Sequence, residues 1–184
     1  MKENFGGNSD AAFNHTIHLF QAMKETLESI FNHTFSFYLL AIKLGHPAFS
    51  QINLEQQTSP GVINVTKLKS SVRLRDALAT ELFAYPLVLY MTSQTFSDGH
   101  HGFKLGSADS PPHNLVAVSL SGLGLRNGSF SEIGLGRKHR NPSKRLLILM
   151  IHELFHGVGL PHSNNTDNDL MKEINPIGLV SLMF

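Results

Sequence analysis

The stretch that decides the fold runs His152-Glu153-Leu154-Phe155-His156-Gly157-Val158-Gly159-Leu160-Pro161-His162, with the pattern H-E-x-x-H-x-x-G-x-x-H. On a helix, residues four apart lie on one face, so His152 and His156 are expected to offer two imidazole nitrogens to one metal ion. Gly159 supplies a left-handed turn that ends the helix, and Pro161 prevents the helix from resuming. The chain is therefore expected to turn back and bring His162 to the same ion.

Three neutral imidazoles leave one coordination position open for water, which is typical of a catalytic zinc site and not of a structural one. Zinc lowers the pKa of such a water to roughly 7 and polarises a substrate carbonyl. Glu153 stands beside the ligands on the helix, where it can take a proton from the water and pass it to a leaving amine. The pattern predicts one catalytic Zn²⁺ held by the three histidines, with Glu153 as general base.

Composition narrows the class of protein. The chain has 184 residues, 41% of them hydrophobic, and a net charge of +1. We expect one globular domain over residues 1–184, with no general attraction to nucleic acid or to a membrane. The sequence contains no cysteine, which excludes disulfides, thiolate zinc ligands and a cysteine nucleophile. No secretory signal is seen, so a cytoplasmic location is favoured, with a secreted mature form as the alternative.

Periodic apolar residues predict two helices before the motif. Residues 9–31 form the first, with Ser9 as its N-cap and an apolar stripe for packing. Ser70 or Ser71 caps the second, which reaches about Phe83.

A third helix carries the motif. Asn141 as N-cap and Pro142 in the first turn mark its start. Leu146 to Ile151 is apolar on every face, so this helix is expected to be buried centrally. The predicted metal ligands thus stand on the most deeply packed element.

Apolar runs between the helices predict strands, and polar stretches predict loops. The predicted strands are residues 35–42, 62–66, 87–91 and 115–120, with a further short strand near Phe130. The predicted loops are residues 47–61 and 92–114.

Three other groups of residues have a functional interpretation beside a plainer one. His100 and His101 could bind a further metal, but adjacent loop histidines are more often solvated. The basic cluster Arg137 to Arg140 could contact phosphate or an acidic substrate, and a solvated loop is favoured. Glu3, Asp10 or a histidine could reach the metal and keep the site latent.

The extended motif resembles the metzincin clan of zinc peptidases, in which the three histidines bind zinc and the glutamate is the general base. A methionine in a turn beneath the metal, the Met-turn, also marks the clan, and Met171 is its candidate here. Within the clan, the resemblance is to the archaemetzincins. It rests on the segments F-K-L-G-S-A, residues 103–108, and A-V-S-L-S-G-L, residues 117–123.

The resemblance implies an α+β fold: a twisted mixed sheet backed by two helices, the second being the active-site helix, and a short C-terminal part with the Met-turn. The division falls at about residues 1–162 and 163–184. A peptide or protein substrate is expected. The strand of Val116, Ala117, Val118, Ser119 and Leu120 would form the upper rim of the cleft, where an exposed edge can pair with an extended peptide.

The chain also departs from that family. Ser163 stands where the first of four structural-zinc cysteines is expected, and the others are absent, so a second zinc of that kind is excluded. No tyrosine follows Met171, so stabilisation of the oxyanion would fall mainly to the zinc. The leading hypothesis is a zinc-dependent metallopeptidase. The alternative is a metal-binding, catalytically inactive interaction protein with the same fold.

Overall fold

The computed structural model describes residues 7–34, 36–42, 47–99, 103–109, 114–120, 123–126, 129–132, 142–163 and 171. Its helices are α1 (Ser9–Ile30), α2 (Pro47–Glu55), α3 (Val65–Ser70), α4 (Val72–Ala77), α5 (Ala79–Ala84) and α6 (Pro142–Gly157). Its strands are β1 (Gln57–Ser59), β2 (Val62–Asn64), β3 (Val88–Thr92), β4 (Thr95–Ser97), β5 (Phe103–Lys104), β6 (Gly106–Ala108), β7 (Leu115–Ser119), β8 (Leu123–Arg126) and β9 (Ser129–Glu132). The described part of the chain is therefore mixed α+β, as the sequence predicts.

Helix α1 lies where the sequence predicts an amphipathic helix, although its N-cap is Asn8 and not Ser9. The Asn8 side chain accepts a hydrogen bond from the Ala11 N–H at 3.0 Å, which satisfies one amide group at the helix start. Its buried stripe, which includes Leu19 and Leu27, packs with the side chains of α6. Within the described ranges, no helix is both long and apolar enough to cross a membrane.

Strand β7 is the centre of the sheet that supports the site. β3 pairs with one side of it in parallel, and β6 pairs with the other side antiparallel, which gives the order β3-β7-β6. All of β7 is buried, as expected of a central strand with both faces covered. A second sheet has the order β1-β2-β4-β5, and β8 pairs with β9 in a separate antiparallel ribbon.

The side chains of β7 alternate between two apolar cores. Val116 and Val118 join the core that α1 and α6 cover, as the expected pair of helices behind the sheet would. Leu115 and Ala117 join the opposite core, which contains side chains of α2, α3 and α4. Helices thus cover both faces of the sheet. The sequence did not predict helices on the face covered by α2, α3 and α4.

Residues 35–42 were predicted as a buried strand, and this is wrong for the described residues 36–42. They form no regular secondary structure. Tyr38 is 75% exposed and Leu40 is 64% exposed, while Phe37 packs against the core of α1 and α6. A strand needs a neighbour for its backbone N–H and C=O groups as well as apolar side chains, and no described strand pairs with this segment.

The prediction of a loop over residues 47–61 is also wrong. Pro47 occupies the first position of α2, where its missing N–H costs nothing, and Ile52 is fully buried. Strand β1 follows directly. Polar residues separate the few apolar residues of this segment, so the sequence shows no clear helical spacing of apolar residues.

The second predicted helix starts at Ser71, whose Oγ accepts from the Leu74 N–H at 3.3 Å, but it is interrupted at Leu78 and forms α4 and α5. The strands predicted near residues 87–91 and 115–120 and near Phe130 are confirmed as β3, β7 and β9. The strand predicted over residues 62–66 is confirmed as β2 for residues 62–64, but residues 65 and 66 begin α3. The predicted loop of residues 92–114 contains β4, β5 and β6, which are too short to show an alternating pattern.

Candidate metal centre

Helix α6 carries the first two histidines of the motif and the glutamate; His152 and Glu153 are buried, and His156 is half-buried. It starts at Pro142, as predicted, and buries Leu146 and Ile151 in the core shared with α1 and β7. His152 is 3% exposed and Glu153 is 6% exposed. Polar groups this deeply buried cost free energy unless they find partners, and a metal ion would be one such partner for His152.

The end of α6 has the geometry that the sequence predicts. Gly159 has φ +97°, in the left-handed region that glycine enters without strain. The Gly159 N–H donates to the His156 carbonyl at 2.9 Å, and the Leu160 N–H donates to the Phe155 carbonyl at 2.9 Å. These two bonds are the Schellman pattern of a helix C-terminus. They reverse the chain and return His162 towards the helix.

The three histidines meet as predicted. One ligand atom from each of His152, His156 and His162 lies within 4.8 Å of the others. The Nε2 atoms of His152 and His156 are 3.0 Å apart. Two nitrogens at 2.0–2.1 Å from a tetrahedral zinc ion would be roughly 3.3 Å apart, so these residues can hold a metal ion with small adjustments.

The backbone of the turn orients the second histidine. His156 Nδ1 lies 2.7 Å from the Leu160 carbonyl oxygen. Because a carbonyl can only accept, Nδ1 carries the hydrogen, and the Nε2 lone pair of a neutral ring points to the centre. Burial, with the nearby His162, lowers the pKa of His156, which the bond to Leu160 opposes. The neutral ring that a metal requires is therefore favoured.

Glu153 follows His152 on α6 and lies in a desolvated position. Burial raises the pKa of its carboxyl to about 8, and the ammonium groups of Lys69 and Lys104 act in the opposite direction. A carboxyl with a raised pKa holds a proton more readily than an ordinary glutamate does, which suits an exchange of protons near neutral pH.

The backbone of β6 forms one wall of the Glu153 pocket. A Cβ atom added at Gly106 would lie 2.3 Å from Glu153 Oε1 and 2.5 Å from Cδ and Cγ. The carboxyl thus occupies the space that any other residue at position 106 would fill. Strand β6 and the glutamate are in direct contact.

Strand β7 is not at the edge of the sheet, so the exposed edge expected for Val116 to Leu120 is not found. β3 pairs with one side of β7, and β6 pairs with the other. Among the described strands, β6 has a side that no strand pairs. β3 is the other end strand of this sheet, but β6 is the one that the structure shows in contact with Glu153.

Met171 lies close to the end of the motif. It is 8% exposed, and its carbonyl accepts a hydrogen bond from the Ser163 N–H at 2.8 Å. This bond joins Met171 to the residue that follows His162.

Other predicted site residues are not part of this cluster. Asp10 is exposed in the first turn of α1. Glu3, the His100–His101 pair and the basic cluster Arg137 to Arg140 lie outside the described residues.

The structure adds three residues that the sequence reasoning missed: Gly106, Lys69 and the carbonyl of Leu160. Gly106 stands in the segment quoted for its family resemblance, where a glycine before Ser107 could have signalled a close approach. Leu160 follows from the turn geometry once His156 is placed. Nothing in the sequence around Lys69 marks it.

Comparisons with known proteins do not identify a family. No family model matches the sequence, and no curated protein matches it. A solved structure that resembles the chain is the crystal structure of a zinc-dependent peptidase from Methanocorpusculum labreanum (strain Z), with 15% sequence identity and a TM-score of 0.46. The likeness covers 89% of this chain and 86% of that chain. A likeness of this size establishes neither a shared family nor a shared activity.

Proposed function

We propose that this chain is a zinc-dependent metallopeptidase of the metzincin type, related to the archaemetzincins. The observation that carries the proposal is the cluster of three imidazole rings, with the buried Glu153 following the ligand His152 on α6. A metal-binding role alone would not require Glu153. One Zn²⁺ held by His152, His156 and His162 is the ion that this donor set favours when one position stays open.

The residues of the chain have distinct roles in peptide hydrolysis. A bound zinc ion would lower the pKa of a water molecule to roughly 7 and polarise the substrate carbonyl. Glu153 accepts a proton from the water as its oxygen bonds to the carbonyl carbon. Glu153 then gives that proton to the amine nitrogen as the C–N bond breaks. The Leu160 carbonyl holds the His156 ring in the ligating tautomer throughout.

The unpaired side of β6 is the proposed site for the substrate backbone. An extended peptide can add to such an edge through main-chain hydrogen bonds. Because Gly106 touches Glu153, a peptide on this edge would pass close to the general base. The substrate is thus a peptide or an extended segment of a protein.

The proposal also assigns a role to the part of the chain that follows the zinc motif. Met171, buried and bonded to Ser163, is the proposed Met-turn. Residues 1–162 would form the upper part of a single catalytic domain and residues 163–184 its short lower part.

The test compares the zinc-loaded wild type with Glu153→Gln on a random synthetic peptide library, with cleavage detected by mass spectrometry. The variant is expected to keep its zinc and to lose roughly 10²- to 10⁴-fold in cleavage rate, the usual contribution of a general base. The matched control is Glu81→Gln, which changes a buried glutamate of α5 and should retain activity.

Equal cleavage by zinc-loaded Glu153→Gln would overturn the assigned mechanism. A wild type that binds zinc and cleaves nothing would point to the metal-binding interaction protein instead.

A further inference from the structure

The outward-facing groups of β6 follow from its pairing with β7. The Ser119 N–H donates to the Leu105 carbonyl at 2.6 Å, and the Asp109 N–H donates to the Leu115 carbonyl at 3.0 Å. In an antiparallel pair, hydrogen-bonded and non-hydrogen-bonded positions alternate along the strand. Positions 105, 107 and 109 therefore face β7. Gly106, opposite Val118, and Ala108, opposite Val116, direct their N–H and C=O groups to the other side.

Lys69 forms a hydrogen bond with one of these outward-facing groups. Its Nζ donates to the Ala108 carbonyl at 2.9 Å. The same ammonium lies 3.2 Å from Asp109 Oδ1, and the Lys69 side chain is 16% exposed. A strand added to this edge would lie about 4.8 Å away and would have to place an N–H where the ammonium already is.

A second cation shares the Asp109 carboxylate with Lys69. Arg75 contacts Asp109 Oδ2 at 3.1 Å and also donates through Nε to the Lys69 carbonyl at 3.1 Å. Asp109 is therefore shared between two cations, and its side chain is 13% exposed. Lys69 is held at the end of β6 by several bonds and not by a single flexible contact.

We infer that Lys69 blocks one acceptor on the pairing edge of β6, the Ala108 carbonyl, and is a specificity-determining residue of the substrate site. The inference rests on the proposed peptidase function. Because no described strand pairs with this side of β6, the edge then offers an incoming peptide the N–H and C=O of Gly106 and the N–H of Ala108. The Ala108 carbonyl is withheld.

The consequence is a difference between two positions of the substrate backbone. The peptide N–H groups that would bond to the Gly106 and Ala108 carbonyls are two residues apart, whichever direction the peptide runs. The peptide N–H opposite the Gly106 carbonyl has an acceptor. The N–H opposite the Ala108 carbonyl has none, because Lys69 already binds that carbonyl. The substrate class is therefore extended peptides in which the second of these positions can be proline or another residue that lacks an N–H.

The test is a scan of N-methyl groups along a peptide that the zinc-loaded wild type cleaves in the random library. Each N-methyl group removes one backbone N–H. In the wild type, N-methylation at one position is expected to remove the bond to the Gly106 carbonyl. The loss of that bond should lower kcat/KM roughly 2- to 10-fold. In Lys69→Met, a second sensitive position should appear two residues away, because the Ala108 carbonyl is then exposed.

Arg75→Met is the matched control, since it removes the other partner of Asp109 and leaves the bond from Lys69 to Ala108. It should reproduce the wild-type pattern. Two sensitive positions two residues apart in the wild type would overturn the inference while leaving the peptidase function intact, and this result does not depend on the folding of any variant. A zinc-loaded wild type that cleaves no peptide would remove the proposed function and the inference with it.

Discussion

Replacement of Gly106 by alanine tests the contact between the edge strand and the glutamate. The added Cβ would lie 2.3 Å from Glu153 Oε1, whereas ordinary contacts begin near 3.4 Å. The carboxyl would therefore have to move by about 1 Å, the difference between these distances. Glu153 is 6% exposed, so solvent offers it little space. A displacement of that size in a reacting group costs on the order of 100-fold in rate.

The assay is kcat of the zinc-loaded variant on a library-derived peptide, together with zinc content and thermal unfolding. Gly106→Ala should retain zinc, because no metal ligand is touched, and should lose roughly 100-fold in kcat. Overpacking alone should lower the free energy of unfolding by about 1–3 kcal/mol.

Gly157→Ala provides the control for overpacking. Its Cβ would meet Val116 Cγ2 at 2.8 Å and Leu87 Cδ2 at 3.1 Å, so α6 is crowded against the sheet without contact to Glu153. We expect a comparable loss of stability and a much smaller loss of kcat. Wild-type kcat in zinc-loaded Gly106→Ala, or equal kcat losses in both variants, would refute the reasoning.

Three further changes probe the turn, the supporting helix and a titrating histidine. Gly159→Ala should lower the free energy of unfolding by about 1–2 kcal/mol and weaken zinc binding, measured by calorimetry, because φ +97° is strained for alanine and the turn positions His162; unchanged zinc affinity would contradict this. Leu27→Ala should cost about 2–5 kcal/mol in urea unfolding, since Leu27 is 2% exposed, whereas Phe13→Ala, at a 41% exposed position, should cost much less. Burial, followed by the nearby His18, lowers the pKa of His15, so the unfolded chain binds a proton first as the pH falls below 6.5; stability of the zinc-free protein should drop there, and His15→Gln should reduce this pH dependence in urea titrations.

The site could be predicted further than the fold because its determinants are local. His152 and His156 are one helical turn apart, and a glycine two residues after the helix ends it, so short-range geometry brings His162 back. The Leu160 carbonyl that orients His156 belongs to the same turn. These relations need no knowledge of distant residues.

The supporting sheet could not be predicted in the same way, because pairing between strands depends on residues far apart in the chain. The sequence shows that residues 115–120 form a strand, but not that β3 and β6 occupy its two sides. Strand β6 has three residues, too few for a period of two to be visible. The strand prediction for residues 36–42 is wrong for the opposite reason. The apolar pattern of this segment resembles a strand, but no described strand pairs with it.

Lys69 shows where sequence reasoning ends. A lysine near the end of a short helix has no pattern that connects it to a carbonyl 39 residues later in the chain. The contact becomes visible once the antiparallel register places Ala108 at the outer edge of β6.

Metal content tests the central claim most directly. The measurement is elemental mass spectrometry on the wild type, on His156→Ala and on His18→Ala, which alters an exposed histidine of α1. We predict that one zinc ion per chain binds to the wild type and to His18→Ala and is lost from His156→Ala. A wild type that binds no metal when zinc is supplied, or a His156→Ala variant that keeps its full zinc content, would contradict the account.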